Sequence, residues 1–131
     1  MNKKIVAGAI IIENGRIFIA CRPEGKTLAH HWEFPGGKQE PGETLPDCLR
    51  RELKEELNIN AVIGEPFMVS TFEYDFAVIE LHTFFVTVEV PEDIKSNEHE
   101  KTAWVLPCEL KNYTFAPADV PVIEKLAALK L

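Results

Sequence analysis

Positive charge is scarce in this sequence: 14 Lys and Arg stand against 21 Asp and Glu, a formal net charge of -7. An acidic chain repels nucleic acid backbones and anionic lipid surfaces, which argues against duplex binding and membrane docking. Cysteine is scarce too. Cys21, Cys48 and Cys108 are odd in number, widely spaced and never in a Cys-x-x-Cys pair. That pattern excludes a disulfide framework or a zinc ribbon and predicts buried thiols in a reducing compartment. No apolar run approaches the roughly 20 residues of a membrane-spanning helix. The 131 residues leave no room for a second domain of ordinary size, so one domain over 1–131 is expected. A hydrophobic fraction of 46% excludes disorder and lets a chain of this length form a core without a disulfide or structural metal.

Asn2-Lys3-Lys4 followed by the apolar run Ile5 to Ile12 has the outline of a secretory signal. The run is short, however, stops at Glu13, and is followed by no convincing small-residue cleavage site. Asn14-Gly15 explains it better, because this dipeptide between apolar runs (Ile5 to Ile12, Ile17 to Cys21) is the strongest short hairpin signal. A core hairpin and a cytoplasmic protein are therefore expected. Arg22 to His31 reads as a loop and Trp32 to Phe34 as a short apolar piece stopped by Pro35-Gly36-Gly37. Val, Ile, Phe and Thr dominate from Ile59 to Val90, with a break near Glu73 to Phe76, predicting two or three strands. Pro91 to Glu100 reads as an acidic loop, Ala103 to Leu106 as a strand, and Asp119 to Leu131 as a helix with Val122, Ile123, Leu126 and Leu129 on one face.

A first helix is predicted to run to about Leu57. Thr44 caps it, Asp47 completes a box-like start, Pro46 is tolerated in the first turn, and Asn58 suits a left-handed stop. At about 100° per residue, Glu52, Glu55 and Glu56 fall within an arc of about 100°, beside an apolar stripe of Leu49, Leu53 and Leu57. Like charges at this spacing repel, which leaves two readings: a solvated acidic face, or oxygen ligands for a hard divalent cation such as Mg2+ or Mn2+. The preceding segment favours the second. Gly36-Gly37 lets backbone approach a ligand, and Pro41-Gly42 turns the chain back into the acidic helix.

Gly37, five residues, Glu43, seven residues, then Arg51-Glu52-Leu53-Lys54-Glu55-Glu56-Leu57-Asn58-Ile59 resembles the Nudix box over residues 37–59, departing only where Asn58 replaces the family's Gly. Trp32-Glu33-Phe34-Pro35-Gly36-Gly37-Lys38 resembles the stretch before the box in MutT-type nucleoside triphosphate pyrophosphohydrolases. Phe115-Ala116-Pro117-Ala118-Asp119 resembles the base-contacting turn of that branch, nearest its CTP pyrophosphohydrolase-like members. The resemblance implies an α/β fold, an α/β/α sandwich with a mixed β-sheet between helices. It implies Mg2+, with Mn2+ as substitute, held by Glu52, Glu55, Glu56, the Gly36 carbonyl and a distal acid, Glu98 in preference to Glu100. Glu52 would orient or deprotonate the attacking water, with Arg51 steadying it and Glu43 pairing with Arg51. Arg22 and Lys38 would contact phosphates or serve as surface charges, and Tyr74 and Phe76 would stack on the base or serve as core or rim aromatics.

The implied reaction is hydrolysis of a nucleoside triphosphate to monophosphate and pyrophosphate by a monomer or homodimer. Asp119 has two readings, helix N-cap or base selector. As an ionised carboxylate it only accepts hydrogen bonds, so it would select cytosine through its N4 amino group, with guanine or 8-oxoguanine next. A non-catalytic Nudix-like sensor would lose a helix glutamate, an isopentenyl diphosphate isomerase needs a cysteine–glutamate pair, and a calcium module carries its acids on a loop. None matches. The histidines, His30, His31, His82 and His99, have no zinc-ligand spacing and receive no role.

Overall fold

A computed structural model describes residues 2–96 and 98–129. Seven strands and two helices follow in the order β1 (Lys3–Glu13), β2 (Arg16–Cys21), β3 (Trp32–Glu33), β4 (Gly36–Lys38), α1 (Leu45–Leu57), β5 (Ala61–Glu73), β6 (Val78–Val88), β7 (Lys101–Val105) and α2 (Val120–Ala127). The sheet is mixed. β1 runs parallel to β6 from Lys3↔Val78 to Ile11↔Val86, while β4 and β2 pair antiparallel with β1, and β5 with β6. β2 carries β7 and β3. Asn14 and Gly15, both at positive φ (52° and 75°), form the predicted hairpin tip.

β1 is apolar on both faces because both are covered. Ala7, Ala9 and Ile11 face the layer of Leu49, Leu53 and Leu57 on α1, whereas Ile10 joins Ile17 and Ile19 against Val122, Ile123 and Leu126 of α2. Each buried leucine or isoleucine contributes roughly 1.5–3 kcal/mol relative to exposure. Sheet and two helical layers together form the α/β/α sandwich.

The ends of α1 follow the predicted chemistry. Thr44 Oγ1 accepts the Asp47 N–H at 3.2 Å, and Asn58 takes the left-handed conformation (φ 55°) while its N–H reaches the Lys54 carbonyl at 3.1 Å. Only half the box forms, since the Asp47 carboxylate pairs with Arg50 at 2.9 Å. Two strands, not three, fill the Val- and Ile-rich region, and their turn is closed by Tyr74 N–H on the Ala77 carbonyl at 2.8 Å.

The final helix is shorter than expected. It stops at Ala127, where the apolar face has been satisfied by Val122, Ile123 and Leu126. Leu129 lies beyond it, exposed, and Lys130 and Leu131 lie outside the described residues. Cys21 and Cys48 are buried thiols, but Cys108 is exposed, because it falls on the short 107–112 turn that contributes only Leu110 to the core. No helix among the described residues is long and apolar enough to cross a membrane.

Candidate active site

β4 crosses β1 so tightly that only glycine fits. A Cβ on Gly36 (φ 155°) would overlap the Ala7 carbonyl, and one on Gly37 would overlap the Glu52 carboxylate. The strand thus lies directly against the acidic face of α1. Gly36 N–H donates to Glu56 Oε2 at 3.2 Å, tying the glycine strand to the most buried of the three helix acids. Arg51 organises the others. Its Nε and Nη2 grip both oxygens of Glu43 at 2.7 and 3.0 Å, Nη2 also donates to the Lys38 carbonyl at 3.2 Å, and Nη1 reaches Glu52 at 2.9 Å and Glu55 at 3.3 Å. The Arg51 guanidinium and the Glu40 N–H hold Glu43 down at about 2.

Burial has the opposite effect on the helix acids. It raises Glu52, with Arg51 working against it, and pushes Glu56 up to about 9, reinforced by the charges of Glu33, Glu52 and Glu98. Glu98 is exposed but within electrostatic reach of both Glu52 and Glu56, whereas Glu100 is committed to His30 at 3.0 Å. Among the described residues no three acidic, His or Cys side chains converge closely enough to hold a metal ion as they stand. Arg51 draws Glu52 and Glu55 to itself, and Glu55 is exposed. The donor set still fits a hard divalent cation: all oxygen, mutually repulsive, and partly buried at an energetic cost that a cation would relieve.

A cavity of about 240 Å³ opens beside Glu56 and runs to Asp119. Arg22, Lys38, Tyr74 and Phe76 line it. Arg22 is not free to meet a phosphate without exchanging partners, because it bonds the Thr27 carbonyl at 2.6 Å and Glu33 at 3.0 Å. Lys38 is exposed at the mouth. The two aromatics separate in role. Tyr74 is buried and its Oη accepts the Ala118 N–H at 2.9 Å, bracing the turn before α2. Phe76 stacks on Tyr74 with one face, 5.0 Å between centroids, and is nearly half exposed.

Asp119 is buried and makes no capping bond to α2, so the N-cap reading fails: its own backbone is already helical, at φ -83° and ψ -17°. Burial and the charge of Glu33 raise it well above the usual carboxylate range, with the Phe34 N–H and Arg22 opposing. Sequence reasoning missed Glu33, whose oxygens are shared between Arg22 and His99 in the cavity wall, and His99 itself. The signals for Glu33 were its place as an acid between Trp32 and Phe34 and in the Trp32–Lys38 stretch that resembles the MutT-type segment.

The Nudix domain profile matches residues 2–126. The chain belongs to the Nudix family. Relatives include the CTP pyrophosphohydrolase of Escherichia coli, 39% identical over 95% of this chain and 92% of the relative, and the 8-oxo-dGTP diphosphatase of Haemophilus influenzae, 36% identical over 96% and 94%. Among solved structures, the E. coli ORF135 protein superposes with a TM-score of 0.83 at 39% identity, covering 98% of this chain and 91% of that one. The MutT protein of Methanosarcina mazei gives 0.86 at 27% identity, covering 95% and 93%. Nudix hydrolases as a family use divalent metal ions, in keeping with the oxygen-only donor set described above.

Proposed function

We propose that this Nudix hydrolase cleaves a nucleoside triphosphate to the monophosphate and pyrophosphate with Mg2+, for which Mn2+ substitutes, and that it prefers cytosine nucleotides. The observation carrying this reading is one cavity lined by Glu56 of the acidic helix face together with Gly36 and Gly37, and also by the buried, non-capping Asp119. Glu52, Glu55, Glu56, Glu98 and the Gly36 carbonyl hold the metal. When bound there, a divalent cation neutralises phosphate charge and lowers the pKa of a water. Glu52 orients or deprotonates the water that attacks an internal phosphorus. Arg51 fixes the Glu52 carboxylate, and Glu43 fixes Arg51. Lys38, and Arg22 after releasing Glu33, meet the phosphates, while the open face of Phe76 receives the base.

Asp119 selects the base through its protonation state. The ionised Asp119 expected from the sequence is disfavoured by burial; the neutral acid instead donates and accepts at once and matches the N3 acceptor and N4 amino donor of cytosine. A carboxylate accepts only and matches the N1–H and N2 amino donors of guanine. The 8-oxo-dGTP diphosphatases among the relatives favour guanine or 8-oxoguanine as the second reading. On either reading the protein acts in the cytoplasm, as a monomer or homodimer, on the free nucleotide pool and not on polymers or membranes.

The test is incubation with normal and oxidised (d)NTPs, sugar nucleotides and dinucleotides in Mg2+, with both products identified. Monophosphate plus pyrophosphate, fastest with a cytosine nucleotide, is expected. Release of single phosphates, or turnover confined to sugar nucleotides, overturns the proposal.

A further inference from the structure

The loop that carries Glu98, whose charge acts on Glu52 and Glu56, is held at both ends and once in the middle. Lys95 N–H reaches the Leu57 carbonyl at the end of α1 at 3.2 Å, and Glu100 N–H reaches the Cys21 carbonyl at 2.9 Å. Between them, the His99 side chain is only 3% exposed, although Glu98 and Glu100 on either side are exposed. Its Nε2 lies 3.1 Å from Glu33 Oε2 and its Nδ1 2.8 Å from Ser96 Oγ. Ser96 Oγ also accepts the His99 backbone N–H at 3.1 Å.

The hydrogen-bond accounting is closed. A carboxylate only accepts, so Nε2 carries a proton; in the neutral ring Nδ1 accepts from the Ser96 hydroxyl, which in turn accepts the His99 amide. Glu33 is itself fixed, since its other oxygen accepts from Arg22 at 3.0 Å and its backbone is paired with Ala20 in the sheet. The loop is therefore docked on a rigid element through one buried imidazole.

We propose that His99 is a positioning residue for the metal end of the site: anchored on Glu33 and Ser96, it holds the loop in the conformation that keeps Glu98 within reach of Glu52 and Glu56. The inference rests on the proposed role of Glu98 as distal ligand. Groups that orient a metal ligand typically affect metal affinity about 10–100-fold without touching the ion. His99 makes no contact with substrate or metal in this role, so its effect passes through Glu98.

The experiment is Mn2+ binding to the substrate-free chain, read from the electron paramagnetic resonance of the free ion. His99→Ala should weaken binding about 10-fold. His99→Gln, whose amide still donates to Glu33, should recover most of that loss. Ser96→Ala, which removes the other anchor, should weaken binding in the same direction but less than His99→Ala, and serves as the second perturbation if His99→Ala does not fold. In a Glu98→Gln background, His99→Ala should cost nothing further, because two changes acting through one ligand are not additive. Unchanged Mn2+ affinity in His99→Ala and Ser96→Ala, or a full additive loss in the double variant, overturns the inference. Parent protein that binds no Mn2+ at millimolar concentration overturns the metal site and this inference together. His99-dependent Mn2+ binding without triphosphate hydrolysis overturns only the substrate assignment.

Discussion

Glu56→Gln should make the metal-free protein more stable, and increasingly so as pH rises. In the folded chain burial holds the Glu56 acid at about 9, against an ordinary value of 4.5. The unfolded chain therefore loses this proton first. Below about pH 4.5 both states are protonated and Glu56 has no effect. From there to about pH 9 the folded state alone keeps the proton, so each pH unit costs about 1.4 kcal/mol of stability, roughly 3 kcal/mol by pH 7 and at most about 6 kcal/mol above pH 9. Glutamine has the same shape, its carbonyl oxygen still accepts the Gly36 N–H, and it has no charge to bury.

Urea unfolding in EDTA at pH 5, 6, 7 and 8 measures the difference. The two proteins should nearly coincide at pH 5 and separate by about 3 kcal/mol at pH 7, about 10 °C in Tm for a domain of this size. Mg2+ should narrow the gap at pH 7, because the parent gains stability by mass action, about 2.7 kcal/mol at 100 times Kd, and the variant gains less. Parallel stability curves, or a variant less stable than the parent at pH 8, would refute the claim that burial of this carboxyl governs the metal-free site.

Glu52→Gln and Glu55→Gln should each lower kcat by at least about 100-fold in saturating Mg2+, and EDTA should abolish turnover. Near-normal turnover in Glu55→Gln would return that residue to the solvated face on which it now lies. Gly37→Ala should fold but lose about 10-fold or more in kcat, since the added methyl displaces the Glu52 carboxylate; full activity would mean that Glu52 need not sit against β4. Asp119→Asn should change the ranking of bases by about 10-fold in kcat/KM. Lost thermal stability with an unchanged ranking would make Asp119 structural.

Where local chemistry decides conformation, the sequence could be read almost residue by residue. Asn14-Gly15, Thr44 and Asn58 each carry a turn or cap preference that nothing in the tertiary structure opposes. The expected α2 runs past the observed Ala127 because apolar periodicity continues to Leu129, which the fold leaves exposed. Spacing on α1 put Glu52, Glu55 and Glu56 on one face, but could not foresee that Glu56 would be buried and Glu55 exposed, since that depends on where β4 crosses. His99 was missed for a related reason. Its significance lies in a partner 66 positions away, and no periodicity in a loop reports burial.

One physical cause, burial of carboxyl groups, operates at both ends of the cavity with opposite chemical consequences on the proposed reading. At Glu56 the neutral acid is the resting form, and it becomes a ligand only when a cation replaces the proton; metal binding there must release protons and strengthen with pH. At Asp119 no cation arrives, and the neutral acid remains the working form because it donates and accepts toward a base edge. Glu33 lies between them and its charge raises both. Neutralising Glu33 would therefore ease ionisation of Glu56 and of Asp119 together, moving base selection toward guanine, while loosening the anchor of His99 on which the proposed placement of Glu98 depends. The pairs that Glu33 makes with Arg22 and His99 keep its charge in place, so the two ends of the site share one electrostatic setting.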